Sequence, residues 1–218
     1  MDKYAQSMTA KQIKALVGDS PVMLEVGSHA GEHTVTFLKA MPRITLNCFE
    51  PDERPIKRFE KAIGNDFRVV LSHCMLSDVD GRHDFYRSTG KAGRMDDWDY
   101  SGSPSKPTGH LRRSPEIKFM QPVAMLSRRL DSWCVAYEVT KIDFIWADLQ
   151  GSQIAFIKGG RNALTYTNYL YIECHTKPLY EDEPTQDELI EMLPDFEPLA
   201  IYERDNILFK NRNFENGV

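Results

Sequence analysis

The sequence predicts an α/β protein built on one doubly wound, mostly parallel sheet. Short apolar runs rich in Val, Ile, Leu and Phe alternate with longer amphipathic stretches, which is typical of parallel strands covered by helices on both faces. Two strand candidates near the C-terminus lie only a few residues apart, which predicts an antiparallel hairpin at one edge. A chain of 218 residues with 41% hydrophobic residues favours a single domain over residues 1–218.

These patterns also place the individual elements. The predicted strands are Val22 to Val26, Ile44 to Phe49, Phe67 to His73, Ile142 to Ala147, Tyr169 to Cys174, Pro198 to Tyr202 and Asn206 to Phe209. The predicted helices are Gly31 to Ala40, Glu53 to Ile63, Leu126 to Tyr137, Ser152 to Leu164 and Thr185 to Leu193.

A long segment from Ser88 to Glu116 interrupts this alternation. It is rich in Gly and Pro and has hardly any apolar periodicity, which predicts a loop insertion. Loops of that length in compact domains are lids, binding segments or disordered stretches, so we expect either a solvated insertion or a substrate lid. The residues in it that could contact a polar acceptor are Trp98, Tyr100, His110, Arg112 and Arg113.

Composition and charge exclude several classes of partner. The chain has 27 Lys and Arg against 32 Asp and Glu, a formal net charge of -5 and no long run of one sign, so no nucleic-acid partner is expected. No stretch approaches the roughly 20 apolar residues of a membrane span, and we expect a cytoplasmic protein without membrane contact. The cysteines lack CxxC spacing and are expected to be buried thiols: Cys48, Cys74, Cys134 and Cys174.

The most informative motif is a strand that ends in a glycine turn, Leu24-Glu25-Val26-Gly27-Ser28-His29-Ala30-Gly31. Glycines permit a tight turn and close approach of the backbone to a ligand, and the first turn of the next helix offers free N–H groups. A nicotinamide or flavin dinucleotide favours GxGxxG, whereas Ser28 and His29 stand between these glycines. The spacing favours S-adenosylmethionine, a cation without phosphates whose charge suits a carboxylate such as Glu25.

A second carboxylate supports this interpretation of the turn. Glu50 ends the second predicted strand and follows Gly31 by about 20 residues, as an acid that binds the ribose hydroxyls does in doubly wound folds. Glu50 is therefore the predicted ribose ligand, and Pro51 ends the strand. A surface carboxylate before a helix is the alternative.

Six blocks of sequence, in this order, resemble the FkbM family of methyltransferases: EVGSHAGEHT, CFEPDERPIKRFEK, VVLSHCMLSDVDGRHDFY, MLSRRLDSW, IDFIWADLQGSQIAFIKGG and YLYIECH. The resemblance covers Val22 to about His175. It implies a class I methyltransferase fold, which is Rossmann-like, with S-adenosylmethionine as donor, S-adenosylhomocysteine as product and a hydroxyl acceptor on a sugar or metabolite. It also implies that Leu71 to Met75 edges the adenine pocket. The expected cofactor-binding residues are Glu25, Gly27, Ser28, His29, Gly31, Glu50, Pro51, Cys74, Met75 and Asp148.

Two residues are candidates for handling the proton of a hydroxyl acceptor. Asp148 closes the predicted strand Ile142 to Ala147, which is expected beside the first strand, so its side chain should face the methyl group. His175 ends the next strand and could accept a proton near neutral pH. In the alternative, Asp148 caps a helix and His175 is structural.

The block around Asp148 departs from the family's pattern, because Trp146 and Gln150 replace its usual lysine and glutamate. An amide cannot act as a base, but Gln150 can still orient an acceptor through hydrogen bonds. Trp146 either forms an aromatic wall beside the acceptor or fills the core. Asp148, Glu173 and His175 could in principle hold a divalent metal, but their spacing does not demand one and none is predicted.

The sequence therefore predicts an O-methyltransferase for a hydroxyl of a glycan or small metabolite. An N-methyltransferase on the same scaffold is one alternative. A catalytically silent S-adenosylmethionine-binding protein is another, because Gln150 replaces an ionisable residue. The sequence predicts neither the acceptor nor the oligomeric state.

Overall fold

The computed structural model describes residues 7–90, 98–202 and 205–214. Its strands are β1 Val22–Val26, β2 Thr45–Phe49, β3 Val69–Ser72, β4 Met75–Leu76, β5 Gly81–Phe85, β6 Ser88–Thr89, β7 Lys118–Phe119, β8 Val123–Arg128, β9 Ile142–Ala147, β10 Thr167–Glu173, β11 Phe196–Tyr202 and β12 Asn206–Asn211. Its helices are α1 Ala10–Val17, α2 Glu32–Ala40, α3 Glu53–Ile63, α4 His110–Arg113, α5 Leu130–Ala136, α6 Gln153–Gly159, α7 Arg161–Thr165 and α8 Gln186–Met192.

The central sheet has seven strands in the order β11-β12-β10-β9-β1-β2-β3. Neighbouring strands from β10 to β3 run parallel, while β12 pairs antiparallel with both β10 and β11. This confirms the doubly wound sheet and its antiparallel edge. It also confirms that β9 lies beside β1, and the gap between their carboxyl ends is the switch point where ligands of such sheets bind.

The core lies on both faces of this sheet, which is why its central strands are almost continuously apolar. In β1, Leu24 belongs to the cluster that packs under α5 and α6, and Met23 belongs to the cluster on the opposite face. Phe156 of α6 and Phe37 of α2 fill the two sides and are both fully buried. The two layers hold the carboxyl ends of β1, β2 and β9 in register.

The predicted helix from Leu126 to Tyr137 is wrong over its first residues. Leu126 and Arg128 are exposed while Ser127 is buried, which is the alternation of a strand rather than a helix. These residues belong to β8, which pairs with β5 and β4 in a separate three-stranded sheet. Helix α5 begins only at Leu130.

Two other helical assignments are refined by the structure. The predicted helix from Ser152 to Leu164 is divided into α6 and α7 at Gly160. A side chain on the preceding Gly159 would run into the carbonyl of Ser77, so the chain requires glycine there. Helix α1 was not predicted, although Thr9 and Gln12 form a capping box at its start.

The predicted loop insertion falls partly outside the described residues, namely at residues 91–97. Its described parts contain β6, which pairs with β7, and the short helix α4. Ser103 bridges to Tyr86, and His110 is buried with Nε2 3.1 Å from the hydroxyl of Ser101. Residues 98–114 therefore pack against the domain.

All four cysteines are buried and unpaired, as the sequence predicts. In the described ranges, no helix is both long enough and apolar enough to cross a bilayer.

Candidate active site

A cavity of about 110 Å³ lies beyond the carboxyl ends of β1, β2 and β9. It brings together most of the residues that the sequence assigns to the cofactor. The predicted site residues that line it are Gly27, His29, Glu50, Pro51, Cys74, Met75, Asp148 and Gln150. The predicted site residues that are not part of its lining are Glu25, Ser28, Gly31, Trp146 and His175.

The glycine turn needs glycine because it is pressed against the neighbouring strand. Gly27 has a φ of 79°, and a side chain on it would run into the carbonyl oxygen of Asp148. The amide of Asp148 in turn donates to the carbonyl of Val26 at 2.9 Å. The turn after β1 and the end of β9 are thus fastened together through their backbones.

Glu50 is held by backbone donors on two segments. Its Oε2 accepts from the amide of His29 at 3.0 Å, and its Oε1 accepts from the amide of Asp52 at 2.8 Å. Burial raises the pKa of Glu50 to about 8, although both backbone hydrogen bonds favour the charged form. Because each carboxylate oxygen can accept more than one hydrogen bond, both retain capacity for a ligand hydroxyl.

Glu25 lies below the turn. Its Oε2 accepts from the hydroxyl of Thr34 in α2 at 2.6 Å, while its Oε1 has no hydrogen-bond partner among the described residues. The side chain is 1% exposed, and this burial raises the pKa of Glu25 to about 8. Glu25 therefore joins β1 to helix α2, and its direct contact with a cofactor stays a prediction.

Asp148 follows β9 and Glu173 ends the adjacent strand β10, and the side-chain amide of Gln150 joins the two carboxyl groups. Nε2 of Gln150 donates to Oδ1 of Asp148 at 2.6 Å and to Oε2 of Glu173 at 3.1 Å. The hydroxyl of Tyr180 donates to Oε1 of the same Gln150 at 2.6 Å. Burial, and then repulsion by Asp148, raises the pKa of Glu173 well above its ordinary value.

His175 lies behind this group. Its Nδ1 is 2.6 Å from Oε1 of Glu183, and its Nε2 is 3.7 Å from Oε1 of Glu173. The residue is 8% exposed and does not line the cavity. Asp148 thus lines the cavity, whereas His175 does not line it and lies behind the carboxyl group of Glu173.

Trp146 points to the other side of the sheet. Its ring lies 4.4 Å from that of Tyr171 and 4.7 Å from that of His33, and the side chain is buried in the core. Successive residues of a strand face opposite sides, so Trp146 and Ala147 cannot both face one layer. Of the two alternatives for Trp146, core filling matches its position.

Sequence reasoning named Tyr100 as a possible acceptor contact, but it missed Asp99 and the contacts by which these two residues cover the cavity. Asp99 accepts from the guanidinium of Arg58 at 2.8 and 2.9 Å, and it lies 2.9 Å from Nε2 of His29. The ring of Tyr100 lies 4.2 Å from that of His29. These contacts join the insertion to the glycine turn and to α3, and no local pattern in the sequence marks them. Tyr180 was missed for the same reason.

A second and larger space, about 1000 Å³, adjoins the cavity. Pro104 and Ser152 line both spaces, so they meet at the turn that follows Asp148. The charged residues in the walls of this groove are mainly acidic, with Asp78, Asp84, Glu181, Asp182, Glu183, Glu188 and Glu191 against Lys106 and Lys158. Across residues 7–90, 98–202 and 205–214, no group of three or more His, Cys, Asp or Glu side chains is arranged to hold a metal ion.

A family model described as the methyltransferase FkbM domain matches residues 25–204. The chain belongs to the FkbM methyltransferase family. The match includes the glycine turn, Glu50 and the group around Asp148, and it confirms the resemblance found in the sequence. By family and fold this FkbM protein is an S-adenosylmethionine-dependent methyltransferase.

This FkbM methyltransferase has a characterised relative at moderate identity. It is 35% identical over 202 residues to the 2-O-methyltransferase NoeI of Sinorhizobium fredii (strain NBRC 101917 / NGR234), and the alignment covers 91% of this chain and 83% of NoeI.

Solved structures share the fold of this FkbM protein at low identity. Methyltransferase FkbM from Methylobacillus flagellatus KT aligns with a TM-score of 0.56 and 16% identity over 88% of this chain and 44% of that one. The chain thus spans less than half of that protein. TrmK of M. capricolum, solved in complex with S-adenosyl-homocysteine, aligns with a TM-score of 0.50 and 11% identity over 99% and 73% of the two chains.

Proposed function

We propose that this protein transfers the methyl group of S-adenosylmethionine to a hydroxyl of a saccharide or another small hydroxylated molecule. The observation that carries the proposal is the cavity in which the glycine turn, Glu50 and Asp148 meet. A hydroxyl acceptor is supported by the relative NoeI, which is a 2-O-methyltransferase.

The cavity walls fit this cofactor. The glycine turn leaves space for close approach of a ligand to backbone, and Glu50 has remaining acceptor capacity for the ribose hydroxyls. Pro51, Cys74 and Met75 would flank the adenine ring. Glu25 lies outside the cavity lining, but its Oε1 has no partner among the described residues and can accept a hydrogen bond from a nearby donor of the cofactor. Ser28 and Gly31 do not line the cavity, and their proposed role is to hold the glycine turn in its conformation. When bound, the cofactor supplies an electrophilic methyl group on a sulfonium.

Asp148 is the residue proposed to assist the transfer. Asp148 directly follows β9, and of the two catalytic candidates, Asp148 and His175, it is the one that lines the cavity. A carboxylate at this point can hold the acceptor hydroxyl in line with the methyl group and accept its proton as the new bond forms. His175 is proposed to act only indirectly, through Glu173.

The excess of acidic residues in the groove favours an acceptor that is neutral or positively charged. Carboxylates accept hydrogen bonds from sugar hydroxyls, and they repel phosphate, sulfate or uronate groups. The volume of about 1000 Å³ is large enough for more than one sugar ring. We therefore propose that the acceptor lies along this groove, with the reactive hydroxyl at the junction near Ser152.

The test combines cofactor binding with methyl transfer. S-adenosylmethionine affinity is measured by calorimetry, and transfer from labelled cofactor is measured on neutral, amino and acidic saccharides and on simple amines. Asp148→Asn should retain cofactor affinity and slow transfer about 100-fold. The matched control is Asp143→Asn, at the opposite end of the same strand, where the carboxylate contacts the amide of Val22. It should transfer at the wild-type rate.

Each alternative has its own outcome. Transfer to amines alone would indicate an N-methyltransferase, and cofactor binding without any transfer would indicate a silent binding protein. Failure to bind S-adenosylmethionine would overturn the proposal. A fully active Asp148→Asn variant would remove Asp148 from proton handling but leave the methyltransferase assignment intact.

A further inference from the structure

The hydrogen bonds around Gln150 select one orientation of its side-chain amide. Oε1 lies 2.6 Å from the hydroxyl of Tyr180, and Nε2 faces the carboxyl groups of Asp148 and Glu173. An ionised carboxylate only accepts hydrogen bonds, so it favours the N–H side of the amide. The reversed orientation would place the amide oxygen against oxygens of both carboxyl groups and would leave the Tyr180 hydroxyl without its acceptor on Gln150.

Tyr180 is the donor that opposes this reversal. A hydroxyl has one hydrogen, and its shorter contact is to Gln150, while the carbonyl of Ser101 lies further away at 3.2 Å. Tyr180 is 2% exposed, and its burial beside acidic groups raises its pKa well above the ordinary value, so the hydroxyl keeps its proton. The Tyr180 hydroxyl is therefore available as a hydrogen-bond donor at neutral pH.

The backbone also keeps these two residues in contact. Gln150 has a φ of 45°, in the left-handed region that non-glycine residues seldom adopt. Gly151 follows with a φ of 91°, and a side chain there would run into the side chain of Tyr180. The carbonyl of Gln150 accepts from the hydroxyl of Ser103 at 2.5 Å. The turn after β9 is thus fixed in a form that presents Gln150 to Tyr180.

We infer that Tyr180 is a positioning residue that orients the Gln150 amide, and that the oriented amide holds Asp148 and Glu173 in a fixed arrangement beside the acceptor. The inference rests on the proposed function for its effect on transfer, because Tyr180 does not line the cofactor cavity. It assigns a role to the amide that stands where the family pattern has an ionisable side chain. Gln150 supplies two N–H donors to two carboxyl groups without adding a further negative charge to the site.

The kinetic test uses Tyr180→Phe, which keeps the ring and removes the hydroxyl. The expected result is a fall in kcat of about tenfold to a hundredfold, because a small misplacement of a catalytic group has an effect of this size. KM for the acceptor and affinity for S-adenosylmethionine should change less than about twofold. The same substitution in a Gln150→Leu background should cause no further fall in kcat, because Tyr180 acts through the amide. Additive losses in the double variant would overturn the inference.

Tyr166→Phe is the matched control. Tyr166 immediately precedes β10 at the opposite end of the sheet, and its hydroxyl interacts with Cys134. Its replacement removes one partly buried hydroxyl without touching the site, so kcat should stay at the wild-type value. A fall in kcat equal to that of Tyr180→Phe would show that loss of any such hydroxyl is sufficient, and would overturn the specific role of Tyr180.

A second readout separates this inference from the proposed function, because it needs no acceptor. In ¹⁵N NMR spectra, the side-chain NH₂ signals of Gln150 are assigned by their loss in Gln150→Leu. In the wild-type protein we expect both protons to be shifted downfield by the carboxylates, and in Tyr180→Phe we expect them to move toward the positions of free amides. Unchanged signals in Tyr180→Phe would overturn the inference, whereas absence of methyl transfer in the wild-type protein would overturn only the proposed function.

Discussion

The two sides of the site are built in different ways. The donor side comprises the glycine turn, Glu50 and Pro51, and it comes from one short stretch of chain. The acceptor side comprises Asp148, Gln150, Glu173 and Tyr180 with residues 98–103, which meet only in the folded protein. Contacts on the donor side run mainly through backbone amides, whereas those on the acceptor side join one side chain to another.

This difference explains what each side can recognise. Backbone amides and glycine conformations are set by local geometry, so the donor side suits a ligand that never varies. Side-chain networks change with single substitutions, so the acceptor side can differ between members of one family that share a fold. If the comparison is correct, substitutions on the donor side should weaken cofactor binding. Substitutions on the acceptor side should slow methyl transfer or change the rate at which ligands dissociate.

The largest effect is expected for Gly27→Ala. The new methyl group meets the carbonyl of Asp148, and the residue must adopt a φ of 79°, so we expect destabilisation of about 2–5 kcal/mol with loss of measurable cofactor affinity. Thermal unfolding and calorimetry measure the two effects. Gly18→Ala is the matched control, because Gly18 has the same φ of 79° but nothing within 4 Å of the added atom. Equal destabilisation of both variants would show that the contact with Asp148 is unimportant.

A smaller effect is expected for Glu50→Ala. Loss of hydrogen bonds from a carboxylate to the ribose should weaken S-adenosylmethionine binding by roughly 1.5 to 3 kcal/mol, or about tenfold to a hundredfold. Glu50→Gln keeps one acceptor oxygen and should lose only part of this affinity. Titration calorimetry distinguishes the two variants. Unchanged affinity in Glu50→Ala would place the ribose elsewhere and weaken the assignment of the donor side.

The smallest effect is expected for Asp99→Asn. The neutral side chain weakens the contacts with Arg58 and His29 that join residues 98–103 to the donor side. We expect the cofactor to associate and dissociate a few-fold faster while the equilibrium affinity changes little, because these contacts cover the cavity and an ion pair with an exposed partner such as Arg58 contributes about 1 kcal/mol. Stopped-flow displacement measures the rate. Lys106→Gln, which loses an exposed pair with Glu181, is the control and should leave the rate unchanged.

The sequence predicted the donor half of the fold closely, because its signals are local. Strand β1 and helix α3 begin and end where the patterns place them, and Asp52 caps α3 with its carboxylate. The exposed Leu126 misled the helix assignment, because a strand of a small sheet with one open face has few apolar residues to mark it. The capping box at Thr9 is a local sequence signal for α1, which apolar runs alone do not reveal.

On the acceptor side the sequence pointed to Asp148, Gln150 and Tyr100 but not to the contacts that join them to other residues. The position of Asp148 at the end of a buried strand follows from the fold, and the strand does lie beside β1. The partners of Gln150 lie about 20 to 30 residues further along the chain, on a strand end and in an irregular segment. No periodicity connects such residues, because their contacts depend on how the loops pack rather than on a repeating pattern.

The contact between Gly27 and the carbonyl of Asp148 limits how this enzyme can be redesigned. The backbone on which the donor sits and the backbone that carries Asp148 move as one unit, so a change in acceptor preference cannot come from shifting one against the other. It must come from exchanging side chains on the turn after β9 or from replacing residues 98–114. The insertion is therefore the segment to replace when new acceptors are engineered, with Asp99 kept because it contacts His29 and Arg58 beside the methyl donor.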